Sequence, residues 1–138
     1  MADTLLLEIV TPQRAVFSEQ VREVALPGEL GEMDVLPGHL PLMTLVPGGE
    51  VIAVTDSGSR HFAVDGGFAE ILGDKVTIIV RSCEGANEVD AEKARTHLTE
   101  LEAIEISPET LSNEQLREHT EALAKTRARL KIVAHATR

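Results

Sequence analysis

The sequence predicts a mainly β protein of the α+β class, with an N-terminal antiparallel β-sandwich and a C-terminal antiparallel two-helix hairpin. Short runs that are apolar at alternate positions, separated by turn-forming residues, extend to about residue 85. Beyond the linker Gly85-Ala86-Asn87, apolar residues recur at helical spacing. Two helix-start signals follow, at Asp90 and Ser112. We therefore expect a β-sandwich domain over residues 1–86 and a helical hairpin over residues 87–138.

Composition narrows the function classes. The chain has 138 residues, of which 43% are apolar, so one ordinary core can form. Aromatic residues make up 2% and the net charge is −10, which argues against binding of nucleic acids or anionic membranes. Cys83 is the only cysteine, which excludes an intrachain disulfide or a cysteine zinc cluster. No secretion signal and no apolar run of membrane-spanning length, about 20 residues, is found.

The β region reads as strands separated by glycine and proline turns. Residues 5–11 are apolar at alternate positions, and residues 14–26 form a longer strand that we expect to break near Ser18. Turns at Pro47-Gly48-Gly49, at residues 56–59 and at Gly73-Asp74 separate later strands over residues 51–54, 60–64, 68–72 and 75–80. Gly66-Gly67 predicts a bulge or a close backbone approach.

Two short apolar strands are predicted to form a hairpin around Pro37-Gly38. Proline presets φ for the first central position of a tight turn, and glycine accepts the positive φ of a type II turn at the second. Pro41 lacks an N–H group, so the second strand should be at a sheet edge or bulged. Two interpretations stay open: a surface that binds another protein, or only a tight hairpin.

The C-terminal region reads as two helices with a thin apolar seam. Asp90 can cap a first helix, which Ser107-Pro108 should end, and Ser112-x-x-Gln115 is a capping box for the second. The apolar stripes consist of Ala91, Ala94, Leu98 and Leu101 in the first helix and of Leu116, Leu123, Leu130 and Val133 in the second. Because alanines bury little area, and His119 and Thr126 interrupt the second stripe, we expect the hairpin to be conditionally docked.

The end of the second helix is basic, with Lys125, Arg127, Arg129, Lys131 and Arg138. Antiparallel packing would place these residues beside Glu88, Asp90 and Glu92 of the first helix. The alternative is that the basic end engages an acidic surface elsewhere or the phosphates of a small ligand.

Sequence motifs of catalysis are missing. The five histidines are scattered without metal-ligand spacing, and no GxSxG, P-loop or GxGxxG motif occurs. Asp65 precedes Gly66-Gly67 and is expected to bond its own turn, and nothing in the sequence marks Cys83 as a nucleophile. We therefore predict no catalytic residue, no metal site and no resident cofactor.

Two motifs resemble those of the ε subunit of bacterial rotary, proton-translocating ATP synthases. They are Gly31-Glu32-x-x-Val35-x-Pro37-Gly38-His39-x-Pro41-Leu42 and Phe62-x-Val64-x-Gly66-Gly67-Phe68-x-Glu70. The order of a β domain followed by a helical hairpin is also similar, so the resemblance spans essentially the whole chain. Asp34 departs from the family, which usually has glycine at that position.

The resemblance implies a ten-stranded sandwich that binds the γ subunit and the membrane c-ring in the central stalk. Such a subunit couples proton flow to ATP synthesis as a peripheral protein at the cytoplasmic face of the inner membrane. The implied partner-binding residues are Val35, Leu36, Pro37, Gly38, His39, Pro41, Leu42 and Met43.

The resemblance also gives the hairpin a regulatory role. In the family it is compact in one state and extends into the catalytic head in another, where it inhibits ATP hydrolysis. Lys125, Arg127 and Arg129 would then contact acidic segments of the β subunits, through charge complementarity that salt weakens.

Some family members bind ATP on the folded hairpin through an aliphatic-Asp-x-x-Arg-Ala motif. This chain has Asp90 but carries Lys93 in place of the arginine, and an ammonium does not reproduce the planar fork of a guanidinium. Lys125 and Arg129 resemble the remaining basic positions. The expectation is weak or no ATP binding, with Asp90, Lys93 and Arg129 as the candidate contacts and a plain N-cap as the alternative role of Asp90. Two other functions stay open: a free adenine-nucleotide sensor and an enzyme on a sandwich scaffold.

Overall fold

The computed structural model describes residues 3–136, which form ten strands and two helices. Met1, Ala2, Thr137 and the basic Arg138 lie outside the described residues. The strands are β1 Leu5–Val10, β2 Ala15–Val21, β3 Glu23–Gly28, β4 Gly31–Val35, β5 Leu42–Val46, β6 Gly49–Thr55, β7 Gly58–Val64, β8 Gly67–Leu72, β9 Lys75–Val80 and β10 Cys83–Gly85. A short 3-10 turn, Ala86–Glu88, leads to α1 Ala91–Glu102 and α2 Asn113–Ala136.

The strands form two five-stranded sheets that enclose the core. Sheet I has the order β2-β1-β9-β8-β5, and sheet II has the order β10-β7-β6-β3-β4. Every described pair is antiparallel except β1 and β9, which run parallel. A parallel pair needs a long connection, and here seven strands separate the two partners. The predicted β-sandwich followed by two helices is confirmed, and this parallel pair is the exception to its antiparallel pairing.

Alternation along each strand directs one face of each sheet into the core. In β1, Leu5, Leu7 and Ile9 are buried while the residues between them are partly exposed. Sheet II contributes Val51 and Phe62 to the same core. The predicted close approach at Gly67 is confirmed, because a Cβ there would lie 1.9 Å from the carbonyl oxygen of Ile79.

The Pro37-Gly38 turn is a type II turn, but it does not join a hairpin. The N–H of His39 donates to the carbonyl of Leu36 at 3.1 Å, and Gly38 has a φ of 87°. However, β4 pairs with β3 in sheet II, whereas β5 pairs with β8 in sheet I. The predicted hairpin is therefore wrong, because this connection crosses from one sheet to the other. The expected edge position after Pro41 is confirmed, since β5 is the last strand of sheet I.

The predicted strand over residues 14–26 breaks at Arg22 instead of near Ser18. Phe17 and Val21 point into the core from β2, and Val24 and Leu26 do so from β3. The inward positions change from odd to even numbers at this point, so the chain turns a corner and moves from sheet I to sheet II. Asp34, where the resembling family has glycine, lies in β4 without a positive φ, so an L-residue fits there.

Both helix starts are confirmed. The side chain of Asp90 accepts a hydrogen bond from the N–H of Lys93 at 3.1 Å, and Ser112 and Gln115 exchange reciprocal capping bonds of 2.9 and 3.1 Å. The first helix ends at Glu102, ahead of the predicted stop at Ser107-Pro108.

The buried side of α1 follows the predicted stripe, with Ala94 and Leu101 buried. The predicted leucine stripe of α2 is not its buried side: Leu116 is exposed, and Leu123 and Leu130 are only partly buried. The buried side chains of α2 are His119, Thr126, Ala128 and Ile132. The stripe shifts because α2 packs against both α1 and sheet II. In the described part of the chain, neither helix is long and apolar enough to cross a membrane.

Candidate functional site

An exposed apolar row crosses the outer surface of sheet I. Leu45 of β5 lies opposite Phe68 of β8, which lies opposite Ile79 of β9. Their side chains are 49%, 53% and 52% exposed, respectively. Contiguous apolar surface of this kind on the outside of a domain indicates a binding site for another protein. We call these three residues the apolar row.

The segment that contains the type II turn extends this exposed surface. Leu36, Leu40, Leu42 and Met43 are all exposed, and so are Gly38 and Pro41, while Pro37 and His39 are half-buried. Leu40 was not among the residues named for partner binding, although its exposure is among the largest of the segment. The sequence does not distinguish the exposure of Leu40 from that of Leu36 or Leu42, and the tertiary structure does.

Val35 does not belong to this surface. It is completely buried in the core, at the end of β4 opposite Val24. Its prediction as a partner-binding residue is therefore wrong. The physical reason is that side chains alternate along β4, and at this position the side chain points inward, between the two sheets.

A groove separates the apolar row from the N-terminal half of α2. Its volume is about 950 Å³, and its walls include the apolar row on one side and Arg117 and Ala124 of α2 on the other. The position of α2 therefore sets how far this side of sheet I is open to a partner.

The C-terminal half of α2 rests on the outer face of sheet II through a small apolar contact. Ala128 and Ile132 of the helix are buried against Ala63 of β7, with Ala86 and Val89 at the margin. Nearer the start of the helix, the Nδ1 atom of His119 is buried without a hydrogen-bond partner among the described residues. A buried unsatisfied group costs about 1–3 kcal/mol, so α2 is held less firmly than a core element.

Three basic side chains of α2 pair with acids of the sandwich, and a fourth pairs with an acid of α1. Arg129 donates from its guanidinium to Glu84, including an Nε–Oε1 bond of 2.8 Å, and Lys125 lies 3.9 Å from Asp65. Lys131 lies 3.7 Å from Glu50 of β6, whereas Arg127 lies 3.9 Å from Glu102 of α1.

The expected pairing of this basic end with Glu88, Asp90 and Glu92 is not observed. Glu88 bonds Arg14 at 2.9 Å, and Asp90 caps α1. The reason is that α2 lies on sheet II, so acids of β6, β10 and the loop after β7 are within reach. Arg81 adds a further link from the sandwich to α2, at 3.0 Å from Glu121. This bond and the charge of Asp65 raise the pKa of Arg81.

The residues proposed for nucleotide contact do not line one cavity. A polar cavity of about 340 Å³ is bounded by Lys125 and Arg129, together with Asp65, His97, Glu118 and Glu121. Asp90 and Lys93 are not among its lining residues. In this conformation Arg129 is engaged by Glu84, and Asp90 is engaged as a helix cap.

Asp65 and Cys83 have structural rather than chemical roles. Asp65 accepts a hydrogen bond from the N–H of Gly66 at 3.0 Å, which confirms the expected turn bond. Burial raises the pKa of the Cys83 thiol to about 12, so this group is neutral at pH 7 and a poor nucleophile.

One cluster of potential metal ligands could not be predicted from the spacing of residues in the sequence. Glu50, His61 and His135 place one ligand-type atom each within 4.8 Å of one another. Their positions in the chain are too far apart for any spacing rule to connect them.

A β-sandwich with an exposed apolar row and a basic helix packed on its second sheet indicates a protein that binds other proteins. Residues 4–86 match the family model of the ATP synthase δ/ε chain β-sandwich domain. The ATP synthase ε chain of Geotalea uraniireducens (strain Rf4) is 39% identical over 140 residues, covering 100% of this chain and 99% of its own. The ε chain of Geobacter sp. (strain M21) is 38% identical, with the same coverage. This chain belongs to the ATP synthase ε chain family.

Solved structures share the fold. A chain of the Euglena gracilis mitochondrial ATP synthase, in a structure of OSCP, F1 and the c-ring, matches with a TM-score of 0.78 at 20% identity. That match covers 100% of this chain and 84% of the other. A chain from the central stalk and c-ring of the Tetrahymena thermophila enzyme matches with a TM-score of 0.65 at 12% identity, covering 94% and 96%. By its sequence relatives the chain is an ε-type subunit of the ATP synthase complex, and the solved structures show that it shares their fold.

Proposed function

We propose that this subunit couples proton translocation to ATP synthesis through its sandwich and inhibits ATP hydrolysis through its helices. The sandwich would bind the γ subunit and the c-ring, and the released helices would bind the β subunits. The complex would place the subunit at the cytoplasmic face of the inner membrane. The single observation that supports the coupling role best is the apolar row together with the exposed segment that contains the type II turn.

The regulatory part of the proposal is supported by how α2 is held. Its apolar contact consists mainly of alanines and Ile132, and much of its remaining attachment is ionic. Partly exposed ion pairs contribute about 0–1 kcal/mol each and exchange partners readily. The same cations that bind Asp65 and Glu84 in the compact state would therefore be available to acids of the β subunits after release.

ATP binding by the isolated chain stays a prediction of weak or no affinity. The polar cavity beside α2 is lined by three carboxylates, from Asp65, Glu118 and Glu121. Its two cations, Lys125 and Arg129, already pair with acids of the sandwich, so the cavity offers little net attraction for a triphosphate. We therefore favour protein partners over the alternative of a free adenine-nucleotide sensor. Calorimetry that gave a micromolar ATP affinity would reverse this preference.

Replacing Phe68 or Met43 with glutamate should weaken assembly with the reconstituted γ subunit and c-ring. A charge introduced into a desolvated apolar interface is costly, and we expect the Kd to rise on the order of tenfold or more. Ile106→Glu is the matched control, because Ile106 is also 53% exposed but lies in the loop between the helices. Surface plasmon resonance against the immobilised γ subunit and c-ring measures the affinity of each of the three variants. Equal affinities for Phe68→Glu, Met43→Glu and the control would exclude this surface as the interface.

Removing the Arg129–Glu84 ion pair from either side should change inhibition in opposite directions. Glu84→Gln loosens α2 but keeps its charge, so hydrolysis by the reconstituted catalytic head should be inhibited more strongly. Arg129→Gln loosens α2 equally but removes a cation that the β subunits would bind, so inhibition should decrease. The pair is worth about 0.5–1 kcal/mol, which corresponds to about a two- to fivefold shift of the docked–released equilibrium.

A triple variant should enlarge the loss of inhibition expected for Arg129→Gln. Lys125→Gln, Arg127→Gln and Arg129→Gln together should relieve inhibition while leaving stalk assembly intact, because none of the three lies on the apolar row. If Glu84→Gln and Arg129→Gln instead shift hydrolysis in the same direction, release alone controls inhibition and the basic charges play no part in it.

A further inference from the structure

A buried carboxylate and two imidazoles converge where the end of α2 meets sheet II. The Oε2 atom of Glu50 lies 2.9 Å from Nδ1 of His61 and 2.6 Å from Nδ1 of His135. The side chain of Glu50 is only 4% exposed, whereas the two histidine side chains are 20% and 24% exposed. Lys131 also faces this carboxylate, with its Nζ atom 3.7 Å from Oε1.

The fold brings the three residues together from two strands and a helix. In the pairing of β6 with β7, Glu50 lies opposite Ala63, and Ile52 lies opposite His61. Glu50 and His61 are therefore diagonal neighbours on the outer face of sheet II. His135 follows the anchoring Ile132 by three positions, so the docking of α2 delivers its imidazole to the same place.

We propose that Glu50, His61 and His135 form a binding site for a divalent zinc ion. Two imidazole nitrogens and one carboxylate oxygen are a donor set that zinc accepts, with a water molecule as the fourth ligand. Bond lengths of about 2.0–2.2 Å in tetrahedral geometry separate ligand atoms by about 3.3 Å. The three ligand atoms already lie within 4.8 Å of one another, so small side-chain rotations suffice.

Charge and burial favour a cation at this position. A carboxylate as deeply buried as that of Glu50 needs a compensating positive charge or a set of donors. Lys131 supplies a charge at 3.7 Å, but its side chain is 64% exposed and is free to turn toward the solvent when an ion enters. Calcium and magnesium are disfavoured, because they prefer oxygen ligands and two of the three donors are nitrogens.

A bound ion would join β6 and β7 to the last turns of α2. It would therefore hold the helix on the sandwich at a place where the apolar contact ends. The zinc site requires only the fold of the compact chain. A test of zinc binding is therefore independent of a test of the inhibitory role proposed above.

Isothermal titration of the full chain with ZnCl2, purified without a polyhistidine tag, tests the site. We expect one ion per chain, and a Kd that rises at least about tenfold in Glu50→Gln, His61→Asn and His135→Asn. His97→Asn is the matched control, because this exposed histidine lies on α1 and its nearest carboxylate partner is Glu100 at 3.9 Å. Circular dichroism checks that every variant is folded.

Two further readouts separate metal binding from a purely hydrogen-bonded cluster. Cobalt substituted for zinc should give visible absorption in the wild type and in His97→Asn, but not in His135→Asn. Zinc should also slow proteolysis of α2 in the wild type and in His97→Asn, but not in His135→Asn. His135 lies near the end of α2 and outside the sandwich core, so His135→Asn tests the site even if Glu50→Gln misfolds. Zinc affinity that is equal in His135→Asn and in the wild type, or absent in both, overturns the proposal.

Discussion

Replacing Ile132 with aspartate is expected to release α2 from the sandwich while the ten strands stay folded. Ile132 is completely buried against Ala63 and Ala128, in an apolar contact that is separate from the core of the sandwich. An unpaired charge at this position would cost about 3–5 kcal/mol, which exceeds what a contact of mainly alanines supplies.

Amide hydrogen exchange followed residue by residue measures this release. Protection across residues 113–136 should fall on the order of a hundredfold or more, while β1, β8 and β9 keep their wild-type protection. Ile132→Val is the matched control, because it removes one methylene and should cost only about 0.5–1.5 kcal/mol. In the reconstituted catalytic head, Ile132→Asp should inhibit hydrolysis more strongly than the wild type does. An α2 that stays protected in Ile132→Asp would show that other contacts hold the helix.

The second large effect is expected at Gly67, where substitution by alanine should destabilise the sandwich. A Cβ atom at this position would lie 1.9 Å from the carbonyl oxygen of Ile79 and 2.8 Å from the Cα of Val80. Both atoms belong to the backbone of the neighbouring strand β9, so neither can move without separating the two strands. Overpacking of this kind costs about 3 kcal/mol, which corresponds to a fall in Tm of about 10 °C.

Gly66→Ala is the matched control for this prediction. A Cβ at Gly66 would meet the end of the Arg81 side chain at 3.2 Å, and that flexible group can turn away. Urea denaturation of both variants should therefore separate two adjacent glycines by about 2 kcal/mol or more. A Gly67→Ala variant as stable as Gly66→Ala would mean that β8 and β9 can adjust their spacing.

The candidate site was only partly predictable from the sequence. The exposed segment around the type II turn was located by its proline and glycine residues, and the basic end of α2 was located by composition. The apolar row was not predicted, because Leu45, Phe68 and Ile79 come from three separate strands and become one surface only through strand pairing. Val35 was misassigned for a related reason: its motif neighbours are exposed, but the phase of β4 turns it inward.

Local interactions explain what the sequence alone determined. The strand alternation of β1, the turns at Gly38 and Gly73, and the caps at Asp90 and Ser112 each depend on residues a few positions apart. The physical causes are the period of side chains along a strand, the positive φ that glycine accepts, and polar side chains that satisfy free backbone groups.

Tertiary structure alone decided which of these elements meet. It separated β4 and β5 into different sheets, made β1 and β9 parallel, and gave Arg129 a partner 45 residues away in Glu84. It also placed His61 and His135 on one carboxylate. Such contacts join residues far apart in the chain, and their free energy depends on the packing of α2 against sheet II as a whole. No local pattern contains that information, because many pairings of the same strands and helices satisfy the same periodicity.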